Sequence, residues 1–99
     1  MEKRRLRYDL KAIQAQMNSI ETMNLTMVAR HGIKAAGMSL TDTLATIKRL
    51  APENFYKSMT IYADSRVWQD VYHAEWKRRA LYIKFQRCEE YFIVSFKER

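Results

Sequence analysis

The sequence predicts an α+β domain of two layers, with N-terminal helices packed on one face of an antiparallel sheet of about four strands. Apolar residues recur at helical spacing as far as Ile47, and from Phe55 onward the chain turns to β-branched and aromatic residues in short runs. Two glycines and one proline in 99 residues are too little punctuation for an all-β chain of many tight turns. Helices first and strands later segregate into layers, because an amphipathic helix and a one-sided sheet bury their apolar faces against each other. The length suits one hydrophobic core. Residues 1–99 therefore read as a single domain, mainly helical over 1–54 and an antiparallel sheet over 55–99.

Leu10, Ile13 and Met17 mark the first helix, Leu25, Val28, Ala29, Ile33 and Ala36 the second, and Leu40, Leu44 and Ile47 the third. Asp9, Asn24 and Ser39 stand at N-cap positions, where a side-chain oxygen accepts an orphan backbone N–H, and Ser39 with Asp42 makes a capping-box pair. Gly37 is expected to take the left-handed conformation that ends the second helix, and Ala51-Pro52-Glu53-Asn54 to close the helical half. A short extended piece is expected around Ile20 to Met23, and Met17, Met23, Met27 and Met38 read as core filler. Strands are expected over Phe55–Tyr62, Val67–Tyr72, Leu81–Gln86 and Tyr91–Lys97, with turns at Ala63-Asp64-Ser65-Arg66 and Arg87-Cys88-Glu89-Glu90. Pairing Leu81 with Phe96, Ile83 with Val94 and Phe85 with Phe92 collects the large apolar side chains on one face. Tyr82, Lys84, Ser95 and Lys97 then share the opposite face, with Tyr82 and Lys97 as diagonal neighbours.

Eighteen Lys and Arg against eleven Asp and Glu give a net charge of +7, a surface that attracts polyanions. The basic residues gather at Lys3 to Lys11 and from Lys77 to Arg99, which favours nucleic acid over a merely solvated basic protein. No apolar run is long enough to cross a bilayer, and the opening Met-Glu-Lys-Arg-Arg has no apolar stretch behind it. Cys88 has no intramolecular disulfide partner, and His31 and His73 lack metal-ligand spacing. A cytoplasmic protein with no membrane, metal or cofactor is expected. Glycine-rich nucleotide loops, the GxSxG elbow and HExxH are all missing, and Glu89-Glu90 reads as a solvated hairpin tip.

What remains is a set of Lys, Gln and Tyr residues on strands, which fits metal-free cleavage of RNA. There the ribose 2′-hydroxyl attacks the adjacent phosphate, and the enzyme supplies a proton acceptor, a proton donor and cations. Phe55-Tyr56-Lys57-Ser58-Met59-Thr60, Trp68-Gln69-Asp70-Val71-Tyr72, Leu81-Tyr82-Ile83-Lys84 and Ile93-Val94-Ser95-Phe96-Lys97-Glu98 together resemble the motility quorum-sensing regulator (MqsR-like) toxins. These are mRNA interferases of type II toxin–antitoxin modules. The resemblance covers the strand half, in order and spacing, whereas the helical half matches only in length and in its first four residues. It implies a RelE-like fold, a ribosome-independent endoribonuclease cutting mRNA at GC-containing triplets, and a cognate MqsA-like antitoxin. It also implies Lys57, Gln69, Tyr82 and Lys97 as catalytic positions, and Tyr56 and Met59 as positions that read RNA. Lys84, Lys77, Arg78 and Arg79 join the expected RNA contacts on charge and placement.

The same residues have plainer readings. Lys57 alternates with Phe55, Met59 and Ile61, so its pattern is that of a lysine snorkelling at the core's rim, and alternation separates Tyr56 from Lys57 and Met59 unless a bulge intervenes. Gln69 fits a buried hydrogen-bonding position, and Trp68 fits packing under a helix better than stacking a base. His73-Ala74 stands where the family commonly has Arg-Pro, followed by the basic loop Trp76-Lys77-Arg78-Arg79; His73 reads as a plain surface histidine before it reads as a compensating acid or base. The alternative function is a non-catalytic RNA-binding or antitoxin-type interaction module using the same basic face.

Overall fold

Alternating side chains in the second half force the strands to share one apolar face, and the helices supply the layer that covers it. A computed structural model describes all residues, Met1 to Arg99. In chain order the elements are β1 (Glu2–Lys3), α1 (Leu10–Gln16), α2 (Met27–Ala36), α3 (Leu40–Arg49), β2 (Phe55–Thr60), β3 (Trp68–Trp76), β4 (Arg79–Cys88) and β5 (Tyr91–Glu98). The sheet is antiparallel in the order β1-β2-β3-β4-β5. It has five strands, not four: residues 2–3 add a short edge strand that two residues of pattern cannot announce.

The caps explain where the helices begin. Asp9 accepts from the Lys11 N–H, Ser39 and Asp42 form the reciprocal capping box, and Gly37 ends α2 at φ 76°. The N-cap of α2 is Thr26, not Asn24. Asn24 takes φ 50° and its carbonyl accepts from the Val94 N–H, while the Thr26 N–H donates to the Val94 carbonyl. Leu25 is thereby drawn into a parallel bridge with Val94, and the helix starts later than the apolar period suggests. Residues Ile20–Thr22 form a 3-10 turn, not an extended piece, because Ser19 and Thr22 cap each other. Met17, Met23 and Met38 are buried, but Met27 is 69% exposed on the outer side of α2.

Tyr72, Leu81, Ile83, Phe85, Phe92, Val94 and Phe96 face Leu10, Ile13, Met17, Met23, Ala29, Ile33 and Ile47 in one continuous core. Burying a side chain of this size contributes about 1.5–3 kcal/mol, so the sheet's apolar face holds both layers. Helix α2 crosses β5 closely, and Gly32 makes that approach possible: a Cβ there would overlap the Phe96 carbonyl oxygen and stand 3.4 Å from the Lys97 Cα. Both sheet edges are covered. β1 lies along β2, and the Gln16 side-chain amide bonds both the N–H and the carbonyl of Phe92 on the outer side of β5, which protects the edges from pairing with other chains.

The β4–β5 pairing differs from the expected one by two residues. Ile83 faces Phe96, Phe85 faces Val94 and Leu81 faces Glu98, so Tyr82 and Lys97 are directly opposed and not diagonal. A slip of two leaves every side chain on its own face, so apolar alternation cannot see it. The turn decides: Arg87 and Cys88 continue the ladder and only Glu89-Glu90 turn, with Glu89 at φ 59°. β3 likewise runs on past Tyr72 to Trp76, and Lys77 and Arg78 at φ 46° and 67° make a two-residue hairpin turn without the Asn or Gly usual there.

Candidate active site

The face of the sheet away from the helices carries its side chains in rows set by the register. One row runs His73, Tyr82, Lys97 across β3, β4 and β5; the next runs Lys57, Val71, Lys84, Ser95; a third runs Met59, Gln69, Gln86, Ile93. Directly opposed residues have Cα atoms about 4.5–5.5 Å apart, so Tyr82 and Lys97 are immediate neighbours.

A β-bulge between Phe55 and Lys57 settles the alternation problem on β2. Phe55 packs on the core side, its ring 5.6 Å from that of Tyr72. The extra residue then lets Tyr56, Lys57 and Met59 all reach the open face. Lys57 is therefore not a rim-of-core lysine, despite sharing Phe55's alternation. Tyr56 stacks on His73 at 4.1 Å between ring centroids and 25° between planes, and Tyr82 closes the cluster 5.3 Å from His73 and 6.3 Å from Tyr56. These rings, with Lys84, Lys97, Glu98 and Arg99, line a cleft of about 510 Å³.

His73 is not a plain surface histidine. It is half-buried at the β3 end of the row, its Nδ1 lies 2.8 Å from the Arg99 guanidinium, and its Nε2 is buried without a partner. A guanidinium only donates, so Nδ1 must accept and the proton sits on Nε2. Burial first, then Arg99 and Lys57, hold its pKa below the ordinary 6.5. The imidazole is a neutral ring clamped between Tyr56 and Arg99, with its one free lone pair already engaged.

Two lysines of the open face are tuned in opposite senses. Lys57 Nζ lies 2.9 Å from the Glu2 carboxylate, and this hydrogen bond raises its pKa, keeping it an ammonium. Lys84 is pushed the other way, by burial and then by Lys97. Val71 lies between them, fully buried on the open face, which fits long side-chain stems closing over it.

The remaining expected residues fall elsewhere. Gln69 donates to Gln86 at 3.1 Å and, with Met59 and Lys84, lines a neighbouring hollow; it stands about 13 Å along β3 from His73. Lys77, Arg78 and Arg79 do not reach the cleft. Lys77 lies over the Trp76 ring and acts on Asp42 at the start of α3, while Arg79 pairs with Glu98 at 3.1 Å. Trp68 sits on the core face but under no helix; Lys3 and Arg7 flank its ring. Arg99, which lines the cleft, and Arg4, which lies beside Tyr56, are residues that sequence patterns do not single out. Arg99 is held by its N–H to the Ala80 carbonyl, and the Arg4 guanidinium sits 5.6 Å from the Tyr56 ring; no motif contains either.

The family model described as "Motility quorum-sensing regulator, toxin of MqsA" matches residues 5–98. The chain is also similar, at 32% identity over 99 residues that cover the whole of both chains, to the mRNA interferase toxin MqsR of Escherichia coli (strain K12).

Proposed function

The chain belongs to the motility quorum-sensing regulator toxin family, an endoribonuclease family, and from that premise we propose that its cleft cuts mRNA by attack of a ribose 2′-hydroxyl on the adjacent phosphate. The carrying observation is the directly opposed Tyr82–Lys97 pair beside the Tyr56–His73 stack. In the reaction the 2′-oxygen bonds to phosphorus and the 5′-oxygen leaves, giving a 2′,3′-cyclic phosphate and a 5′-hydroxyl. One proton must leave the 2′-hydroxyl and one must reach the departing oxygen. Lys97 and the ammonium of Lys57 stabilise charge on the phosphorane-like oxygens, and Tyr82 transfers a proton. Tyr82 gives its phenolic proton to the departing 5′-oxygen, and Lys84, whose charged form burial disfavours, takes the proton from the 2′-hydroxyl. Gln69, two rows away, positions the neighbouring nucleotide. The rings of Tyr56 and His73 stack a base, with Met59 beside it.

The finer features follow the family resemblance: a RelE-like architecture, ribosome-independent cutting at GC-containing triplets, and neutralisation by a cognate antitoxin related to MqsA. The decisive experiment uses an RNA oligonucleotide with a single 2′-deoxy residue just upstream of the cut, in EDTA. The all-ribose strand is expected to be cut and the substituted strand to survive; cleavage of both at the same bond overturns the internal-nucleophile mechanism. Tyr82→Phe and Lys97→Ala are expected to lower the rate by about a hundredfold or more with the fold intact, since Lys97 is exposed and Tyr82 is only half-buried.

A further inference from the structure

The first eight residues form an arm fixed at both ends. Glu2 and Lys3 pair with Met59 and Ser58. At the other end, both oxygens of the Asp70 carboxylate are taken up by backbone N–H groups, two bonds from Arg7 at 3.0 and 3.1 Å and one from Tyr8 at 2.8 Å. The Tyr8 hydroxyl adds a bond to the Trp68 carbonyl at 2.9 Å. Between these anchors the chain arches over a pocket of about 90 Å³ lined by Lys3, Arg5, Leu6, Arg7, Ser58 and Trp68.

This pocket has what an oxyanion needs. Three cations line it, and none has an acidic partner, the ion pairs of the molecule being Lys57–Glu2, Arg66–Asp64 and Arg79–Glu98. Lys3 and Arg7 are held over the Trp68 ring at 5.2 and 5.8 Å. Among the lining residues is Ser58, 1% exposed, whose hydroxyl is buried with no hydrogen-bond partner. An unmade bond of this kind costs about 1–3 kcal/mol, and a ligand oxygen would satisfy it. Asp70, opposite Ser58 on β3, is the carboxylate nearby, and its oxygens are already committed to the arm's N–H groups.

We propose that the pocket under the N-terminal arm, lined by Lys3, Arg5, Arg7, Ser58 and Trp68, holds a backbone phosphate of the RNA strand beyond the catalytic cleft. The arm itself joins the two places, because the Arg4 side chain bonds the Tyr56 carbonyl at 3.4 Å and lies over the Tyr56 ring, while its neighbours Lys3 and Arg5 line the pocket. A strand stacked on Tyr56 can pass Arg4 at the β1 edge and lay its next phosphates under the arm. The inference rests on the RNA reading above and adds to it a second contact region.

The test measures binding by fluorescence anisotropy, with strands made uncleavable by the 2′-deoxy substitution. One strand spans only the cleft; the other extends it by about ten nucleotides at either end. Wild type is expected to bind the extended strand about tenfold tighter. Arg5→Gln with Arg7→Gln should remove that advantage, lower the salt slope for the extended strand by about 0.7, the value for one phosphate, and leave the short strand's affinity unchanged. Ser58→Ala, which removes only the orphaned hydroxyl, should remove part of the advantage. Inorganic phosphate should compete with the extension alone. Equal affinity for both strands in wild type, or an advantage that survives the double variant, overturns the proposal. So does phosphate binding without a length effect, or loss of antitoxin binding in the double variant with RNA binding intact. Failure of wild type to cut all-ribose RNA counts against the proposed reaction instead, and the binding comparison still decides the pocket.

Discussion

At the scale of the residue, His73 shows how far neighbours set a side chain's role. By sequence it is one of two histidines on a basic chain. In the fold it is faced by Tyr56 and Lys57 from β2, Tyr82 and Lys84 from β4, and Lys97 and Arg99 from the end of the chain. Protonation would turn Nδ1 from acceptor to donor, break the Arg99 bond and add a charge among cations. Because the folded pKa is depressed by burial, Arg99 and Lys57, the unfolded chain takes up a proton first as pH falls. The stabilisation is therefore fully present above 6.5 and is lost as pH falls from there through the folded value. Thermal melts of wild type between pH 7.5 and 5 should show this loss, and His73→Gln should flatten it. Cleavage should fall over the same interval in wild type; a profile identical in both proteins assigns the acid limb to another group. The sequence could not disclose this role, because it depends on Tyr56 being turned onto the open face and on Arg99 at the end of β5.

At the scale of the element, the sequence is legible wherever a period or a cap controls the outcome, and blind where a count of one or two residues does. Three helices, the Ser39–Asp42 box, the Gly37 stop and the face carrying Tyr82, Lys84 and Lys97 all follow from pattern. The β2 bulge, the two-residue slip between β4 and β5 and the short β1 do not, since each changes register without changing composition. Gly32 is a further case. Inside a helix, glycine costs about 1 kcal/mol against alanine, so its place in α2 looks wasteful until the Phe96 carbonyl oxygen is seen where its Cβ would be. Gly32→Ala should therefore destabilise the protein by about 1–3 kcal/mol, as overpacking does, although propensity alone predicts a gain. With about 4–8 °C per kcal/mol for a domain of this size, calorimetry reads it directly. Ala35→Gly, on the exposed side of the same helix, supplies the propensity cost alone. A stabilised Gly32→Ala protein is the outcome that removes the close-packing account of α2 on β5.

Over the whole molecule, nine of the eighteen Lys and Arg fall in three places. Lys57, Lys84, Lys97 and Arg99 border the open face; Lys3, Arg5 and Arg7 surround the arm pocket; Lys77 and Arg78 form the β3–β4 tip. The capped edges leave the open face as the broad surface on which a strand can lie. A cation matters to binding when phosphate approaches it within the screening distance, about 10 Å at 0.1 M salt. The tip lies about 13 Å along β3 from His73, and neither Lys77 nor Arg78 lines the cleft. Clustering in the sequence suggests that Lys77 to Arg79 belong to the RNA surface, whereas this distance sets the tip apart from the cleft. Lys97→Gln with Arg99→Gln, both lining the cleft, should lower the salt slope of RNA binding by about 1.4, the release of two counterions from a single strand. Reversing Lys77 and Arg78 to Glu should leave that slope nearly unchanged and lower only the association rate, through the weaker long-range field. Anisotropy titrations of an uncleavable strand across a salt series, paired with stopped-flow association, separate the two. An equal drop in slope for the tip variant would mean that the strand leaves the open face past Trp76 and lies along the hairpin end.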